Sequence, residues 1–545
     1  MNLEIQKQTG SFYTESKVAE SLTNWAIRNR NDSVLEPSFG DGIFIEKSLR
    51  RFLELGNGDP SITAIEIQED VVDKFIRQYQ GKALITYSKD FLSLDFNQQF
   101  DVVIGNPPYV SIKRLPIELR ETAQQIIKKN NVKCSNNGSL WYPFVLGAIS
   151  ALKKEGRLAY VLPFEITYAR YACSLWSILA QNFSKLTVCR IYEDFFPNVD
   201  VETILLLADG KGGNTTKIDY NIYDSVDDLL RNYVSRHTDI QLQDVITRKK
   251  PFISSILTLA QQLLLERLKK GDMLKPISEN CKFKIGYVSA DKEFFHPSFD
   301  IVEHYLIPNE NLYPTILNAK DVNGGTGIGI EVKSGECNSK LYIPRSITEG
   351  DKLYILSGEM KGVHQRYKCR QRNPWYITPN IEIPDVILSV FGERPKIIVN
   401  KGAYAVSNSL LCGCIKGGSA EQLLCRWYNS LTLLSIELNV HSLGGGSFVI
   451  IPGEADKLEI VASIPNDKVK SIYKELDECI IKAGVDAAYE LGDKLVLQGI
   501  YNLSDSDISI IREAIQTLRS WRNPVKRRER DVIVDSYDSS FMAIS

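Results

Sequence analysis

The sequence is poor in what a metal site or a disulfide framework needs. Its five histidines are dispersed over 545 residues with no HExxH or HxxxH spacing, which argues against a metallo-nuclease and leaves no metal ligand set. Its ten cysteines run from Cys134 to Cys479 without a CxxC pair, and only Cys412 and Cys414 form a CxC, so reduced and mostly buried thiols are expected. Long apolar runs are missing too: compact ones such as 204–208 fall far short of the ~18 residues a spanning helix needs. The opening residues, Met-Asn-Leu-Glu-Ile-Gln-Lys-Gln, carry no secretory apolar core, and a soluble, cytoplasmic protein without a membrane partner is expected. Net charge is nearly absent, with 65 Lys and Arg against 67 Asp and Glu. That excludes a wholly basic nucleic-acid coat but leaves room for a local basic groove.

What is present is ordinary globular composition, 43% hydrophobic and 24% charged, in a chain too long for one domain. Through residue 210 one pattern repeats: a short β-branched run, a turn, then a helical segment. Strands are expected at 34–35, 62–67, 100–104, 157–162, 186–192 and 203–208, and helices at 44–55 and 71–79. Alternation of this kind implies an α/β domain with a mostly parallel sheet covered on both faces, whose ligands sit beyond the carboxyl ends of the strands. From about 245 onward short strands, Gly and Pro punctuation and helical stretches at 255–270, 420–438 and 466–488 read as a second, α+β domain. The polar tail 531–545 is expected to be disordered.

The strand ends carry the chemistry. Leu35-Glu36-Pro37-Ser38-Phe39-Gly40-Asp41-Gly42 places a carboxylate at a strand terminus and two glycines in the turn that follows, where backbone can approach a ligand. Glu66 closes the next strand, and Asp90 with Phe91 follows Ile-Thr-Tyr-Ser-Lys. The fourth strand runs into Asn106-Pro107-Pro108-Tyr109. Two prolines fix two φ angles and remove two donors, giving a rigid loop lined by acceptors; an Asn amide oxygen and a Pro carbonyl together accept both protons of a planar amine beside the flat face of Tyr109.

This ordered set resembles the S-adenosylmethionine-dependent adenine-N6 DNA methyltransferases, in which the cofactor region precedes a catalytic Asn-Pro-Pro-Tyr and a target-recognition domain lies C-terminal. The resemblance spans residues 8 to 210 through specific motifs. It implies a Rossmann-like class I methyltransferase domain over 1–245, a target-recognition domain over 246–530, and S-adenosyl-L-methionine as cofactor. Gln8-Thr-Gly-Ser-Phe-Tyr-Thr14 is similar to the family's N-terminal cofactor motif and points to Thr14. Glu36, Pro37, Gly40 and Gly42 stand at the methionine-side loop, Glu66 with Ile67 at the ribose, Asp90 and Phe91 at the adenine, and Asn106 at both cofactor and target. Arg157 to Pro163 corresponds to the strand and turn behind the target base. Catalysis is carried over to Asn106, Pro107, Pro108 and Tyr109, with Tyr171 as a second aromatic face for a flipped base and Tyr168 competing for that role.

Charge counted by region supports a nucleic-acid partner. Residues 361–401 hold eight Lys and Arg against three acidic residues, interleaved with Tyr367, Trp375, Tyr376 and Phe391. Arg366, Lys368, Arg370, Arg372 and Trp375 are the expected contacts to double-stranded DNA. A second basic run covers 519–530, and Gly444 to Gly446 either let backbone approach DNA or simply form a loop between a helix and Phe448-Val-Ile-Ile451. The expected function is site-specific DNA adenine-N6 methylation in restriction–modification, with room for a separate restriction endonuclease. The alternatives are methylation of RNA adenine, cytosine N4 or protein glutamine, and a non-catalytic DNA-binding subunit that retains the fold.

Overall fold

In a computed structural model, residues 14–522 are described except 57, 80–83, 97–98, 131, 133–137, 194–201, 324–326, 331–338 and 441–448. The glycine triplet, the tail and the residues of the N-terminal motif before Thr14 lie outside that set. The chain divides into two compact units, 1–255 and 256–545. Among the described residues no helix is long and apolar enough to cross a membrane.

The N-terminal unit is built on a nine-stranded sheet. Its strands are β1 (Val34–Glu36), β2 (Ile62–Glu66), β3 (Leu84–Ser88), β4 (Phe100–Gly105), β5 (Leu152–Pro163), β6 (Phe183–Ile191), β7 (Thr203–Lys211), β8 (Lys217–Tyr223) and β9 (Arg236–Gln241). They are ordered β3-β2-β1-β4-β5-β7-β6-β8-β9. Parallel pairing runs from β3 through β5; β7 inserts antiparallel between β5 and β6. The sheet is mostly parallel, as the repeating pattern requires, with an antiparallel far side. β8 and β9 were not singled out in the sequence, although Lys217–Tyr223 alternates polar and apolar residues as a half-covered strand does; Arg236–Gln241 is largely polar and carries no such signal.

Helices pack where their apolar spacing dictates. α1 (Ser16–Ala26) buries Val18, Ala19, Leu22 and Ala26 on one face and is capped by the Glu15 carboxylate, which accepts from Val18 N at 3.0 Å. α2 (Ile43–Glu54) starts from Gly42 at φ +82, and a side chain there would stand 2.9 Å from the Phe75 ring of α3 (Glu69–Gln78). That glycine therefore answers both the turn and the close helix contact. The central order β2-β1-β4-β5 brings the carboxyl ends Glu36, Glu66 and Gly105 to one edge of the sheet.

Arg157 of β5 is not free for a ligand. Its guanidinium binds the Asp32 carboxylate at 2.9 Å and the Ala26 carbonyl at 2.6 Å, a buried pair that clamps β5 to the turn before β1. The unit extends to 255, past the pattern change at 245, because the fully buried Phe252 stacks on Trp176 with centroids 5.6 Å apart and meets Tyr220 edge-on at 5.2 Å.

The C-terminal unit is α+β. A five-stranded sheet orders Cys281–Ile285, Leu410–Ile415, Val386–Ser389, Ile397–Asn400 and Gly329–Ile330; a three-stranded sheet joins Lys340–Tyr342, Leu312–Ile316 and Ala405–Val406. The helix expected over 420–438 is two, Ala420–Trp427 and Ser430–Asn439, since Asn429 caps the second by accepting from Thr432 N. Likewise 255–270 breaks before Leu259–Lys270, where Thr258 and Gln261 form a capping box. The helix over 466–488 continues as Asn466–Gly492 with a kink at Gly484, φ +84.

Candidate active site

Thr14, Glu36, Gly40, Glu66, Asn106 and Pro108 line one cavity at the carboxyl edge of the sheet. These residues are up to 94 positions apart in sequence and meet because β2, β1 and β4 are adjacent and parallel. Glu66 organises the loop above it: one carboxylate oxygen accepts from Gly40 N at 3.1 Å and the other from Ile67 N and Gln68 N at 2.9 and 3.2 Å. The glycine turn is thereby tied to the end of the neighbouring strand. Gly40 sits at φ +52 with open space where a side chain would project.

Glu36 is different. It is 1% exposed, and its Oε2 has no hydrogen-bond partner among the described residues. Burial, reinforced by the charges of Asp41 and Glu66, pushes its carboxyl well above the usual carboxylate range. A buried carboxyl oxygen without a donor suits a ligand that supplies one.

The Asn106 loop is held from three sides. Asn106 Nδ2 donates to Thr14 Oγ1 at 3.2 Å, the Ser38 hydroxyl donates to the Asn106 carbonyl at 3.4 Å, and the Tyr109 hydroxyl donates to the Val161 carbonyl at 3.0 Å. Because the amide nitrogen is the donor to Thr14, the amide's other heteroatom is an acceptor with a fixed direction. Pro107 is buried and Pro108 faces the cavity.

The remaining expected site residues fall outside this lining. Pro37 packs beside Gly105, and Gly42 is buried against Phe75. The Ile67 side chain is 48% exposed, and only its backbone N–H takes part, through Glu66. Asp90 accepts from Leu92 N and caps the turn Phe91–Ser93; burial raises its carboxyl. Phe91 is spent on packing, its ring 5.2 Å from Phe144 and pressed against Gly147. Tyr171 is half-buried, with centroids 5.7 and 5.8 Å from Trp141 and Tyr142, whereas Tyr168 packs toward Phe164 at 6.0 Å.

Ser38, Phe39, Ile43 and Phe44 also line the cavity and were not named from sequence. Phe39 stacks on Phe75 at 4.4 Å, which stacks on Tyr79 at 4.5 Å. No local pattern reveals a partner in a separate helix. Ser38 lies inside the motif, and its hydroxyl was the available signal.

In the C-terminal unit the basic stretch is less free than its charge count implies. Arg366 pairs with the buried Asp291 at 2.7 Å. Arg372 donates to the Val288 and Ser289 carbonyls at 2.5 and 3.1 Å, and Trp375 packs on Phe294 and donates to Glu359 at 3.0 Å. Arg372 and Trp375 are thus also tied within the protein, which a charge count does not reveal. Lys368 and Arg370 are exposed. Lys396 is buried, with its amine lowered to about 8 by burial. In the second basic run, Arg519 and Arg522 are enclosed and paired to Glu437 at 2.8 and 3.0 Å, so they are core groups. Among the described residues one set of possible metal ligands, Asp219, His237 and Asp239, comes together, but Lys185 and Lys217 already neutralise its carboxylates.

A parallel sheet with a glycine turn and carboxylates at successive strand ends, and an Asn-Pro-Pro-Tyr loop facing the same cavity, defines a class I methyltransferase core with an added C-terminal unit. Residues 47–195 match the family model of the Eco57I restriction-modification methylase, and residues 249–497 match that of the Type II methyltransferase M.Eco57I, C-terminal domain. Type II methyltransferase M.AccI of Acinetobacter calcoaceticus is 23% identical over 516 residues, covering 88% of this chain and 91% of that protein. Type II methyltransferase M.HincII of Haemophilus influenzae is 28% identical over 178 residues, 32% of each chain. In fold, the chain is similar to the Type IIL restriction-modification enzyme MmeI, solved in complex with DNA, with a TM-score of 0.53, 11% identity, and coverage of 93% of this chain and 75% of that one. The chain is a DNA methyltransferase of the restriction–modification class.

Proposed function

We propose that the protein transfers a methyl group from S-adenosylmethionine to N6 of an adenine turned out of duplex DNA at a specific sequence. The observation that carries this reading is the Asn106 loop, with its amide oriented by Thr14, opening on the same cavity as Glu36 and Glu66. An Asn at this position suits a neutral, planar amine, and the family is one of DNA-modifying enzymes.

The residues present fit the cofactor. Glu36 offers a buried acceptor in want of a donor, suited to the ammonium of a methionine moiety; Glu66 retains acceptor capacity for ribose hydroxyls; Gly40 leaves space for close approach. When bound, S-adenosylmethionine supplies an electrophilic methyl on a sulfonium. The chain's own groups prepare the nucleophile. The N6 lone pair of adenine is delocalised into the ring, and acceptors at Asn106 and the Pro107 carbonyl hold its two protons and favour the tetrahedral, positively charged amine that forms during attack. Holding both partners at the sheet edge supplies the proximity. Tyr109 and Tyr171 provide aromatic faces for an extruded base, because an adenine within duplex cannot reach such a site.

Incubation with labelled S-adenosylmethionine and unmodified genomic DNA, followed by sequencing of the methylated positions, tests the reading. Label at N6 of adenine within one recurring site is expected. Label at cytosine N4, or only in RNA or protein, overturns the target assignment. Cofactor binding without any transfer favours the non-catalytic subunit.

A further inference from the structure

A second cavity, of about 490 Å³, lies in the C-terminal unit and is separate from the site above. Its floor is Gly286, Tyr287 and Cys412, all buried; its rim is formed by Lys284, Lys368, Gln371, Asn380 and Glu382, all exposed. Several groups around it are locked. Lys284 is bound to both oxygens of Glu382 at 2.7 and 2.9 Å. Arg372 grips the Val288 and Ser289 carbonyls, and the Tyr287 hydroxyl is shared with Thr315 at 2.6 Å and His296 at 2.8 Å.

Three rim side chains are not locked. Gln371, Asn380 and Lys368 make no hydrogen bond or ion pair with another described residue, yet all three border the same concavity. Asn380 is held at φ +56, a left-handed conformation that asparagine adopts more readily than other residues with a side chain. A rigid frame that presents two unspent amides and one unspent ammonium is suited to a ligand with paired donor and acceptor atoms beside negative charge. The edge of an adenine in the major groove, with its N7 acceptor and N6 donor, matches a carboxamide in both atoms, and the adjoining phosphates match Lys368.

We propose that this concavity reads base edges of the target duplex, Gln371 and Asn380 setting sequence preference and Lys368 holding the backbone. The proposal rests on the assignment of DNA as substrate. It narrows the sequence-derived basic patch, in which Arg372 and Trp375 shape the wall and the unpaired amides carry the discrimination.

The test uses the full chain, labelled S-adenosylmethionine and a library of duplexes randomised around a central adenine, with base preference at each position read from the methylated products. Gln371→Ala and Asn380→Gly, the latter chosen because glycine tolerates the left-handed backbone, are each expected to relax preference at one or two positions by about 10- to 100-fold. Cofactor affinity, measured by calorimetry, stays unchanged. Lys368→Ala is expected to weaken binding evenly across sequences and to lower the salt slope by about 1. A double variant that keeps the wild-type preference at every position overturns this inference and leaves the methyltransferase assignment standing. A wild-type chain that binds S-adenosylmethionine but labels no DNA overturns the assignment beneath it.

Discussion

In the N-terminal unit Glu36 is buried with one oxygen lacking a partner among the described residues, whereas in the C-terminal unit the buried Glu437 accepts from Arg522 on both oxygens and from Arg519 on one. Asp493 follows the second pattern, gripped by Arg512 and by Ser430. Both kinds of carboxylate have been taken out of water at a cost, and in one case the fold itself compensates for the loss. In the other the compensation is left to whatever enters the cavity. Burial alone therefore does not distinguish a binding group from a structural one; the state of its partners does.

Substitutions can break this contrast. The largest effect is expected at Asn106→Ala, which removes an acceptor needed only as the amine becomes tetrahedral: turnover falls about 100- to 1000-fold, while calorimetric affinity for S-adenosylmethionine is retained. Loss of both together would place Asn106 in cofactor binding alone. Next, Glu437→Ala strands two enclosed guanidinium groups and is expected to cost about 3–5 kcal/mol, seen in denaturant unfolding of the C-terminal unit. Glu36→Gln is expected to leave stability level or higher, since no partner is lost, and to weaken cofactor binding. Equal destabilisation by the two variants would erase the distinction between the units.

Thr14→Val should lower kcat about tenfold with little change in KM for the cofactor, and Thr14→Ser should restore it. An effect confined to KM would make Thr14 a simple cofactor ligand. The smallest effect is a pH dependence. A carboxyl raised on folding binds its proton more tightly in the native state, so Glu36 contributes stability that is lost as pH rises from the ordinary carboxylate range through its raised value. Glu36→Gln removes that slope, and thermal melts of the unliganded protein across this window measure it. An unchanged slope would mean that Glu36 is ionised in the free protein.

The lining of the sheet-edge cavity was more legible in the sequence than the partners of the basic stretches, for a physical reason. Strand ends, a glycine turn and Asn-Pro-Pro-Tyr are local signals, and a parallel sheet brings successive strand ends together by rule. The fate of a surface charge depends on partners far along the chain. Arg519 finds Glu437 82 residues earlier, and Arg366 pairs with Asp291 in another element; a regional count of positive charge treats both as free. Phe91 shows the same limit, since its place beside a strand end says nothing of the Phe144 ring and Gly147 backbone it packs against. The break at Asn429 and the kink at Gly484 were written in ordinary capping and glycine chemistry, inside stretches whose apolar periodicity carries straight through them.

The bond from Asn106 to Thr14 ties the reactive amide to the first described residue of the chain, ahead of α1 and outside the sheet. One buried hydroxyl ahead of the first helix thus sets the direction of the Asn106 amide. Losing that hydroxyl would leave the sheet and its cavity in place with an amide no longer aimed into it.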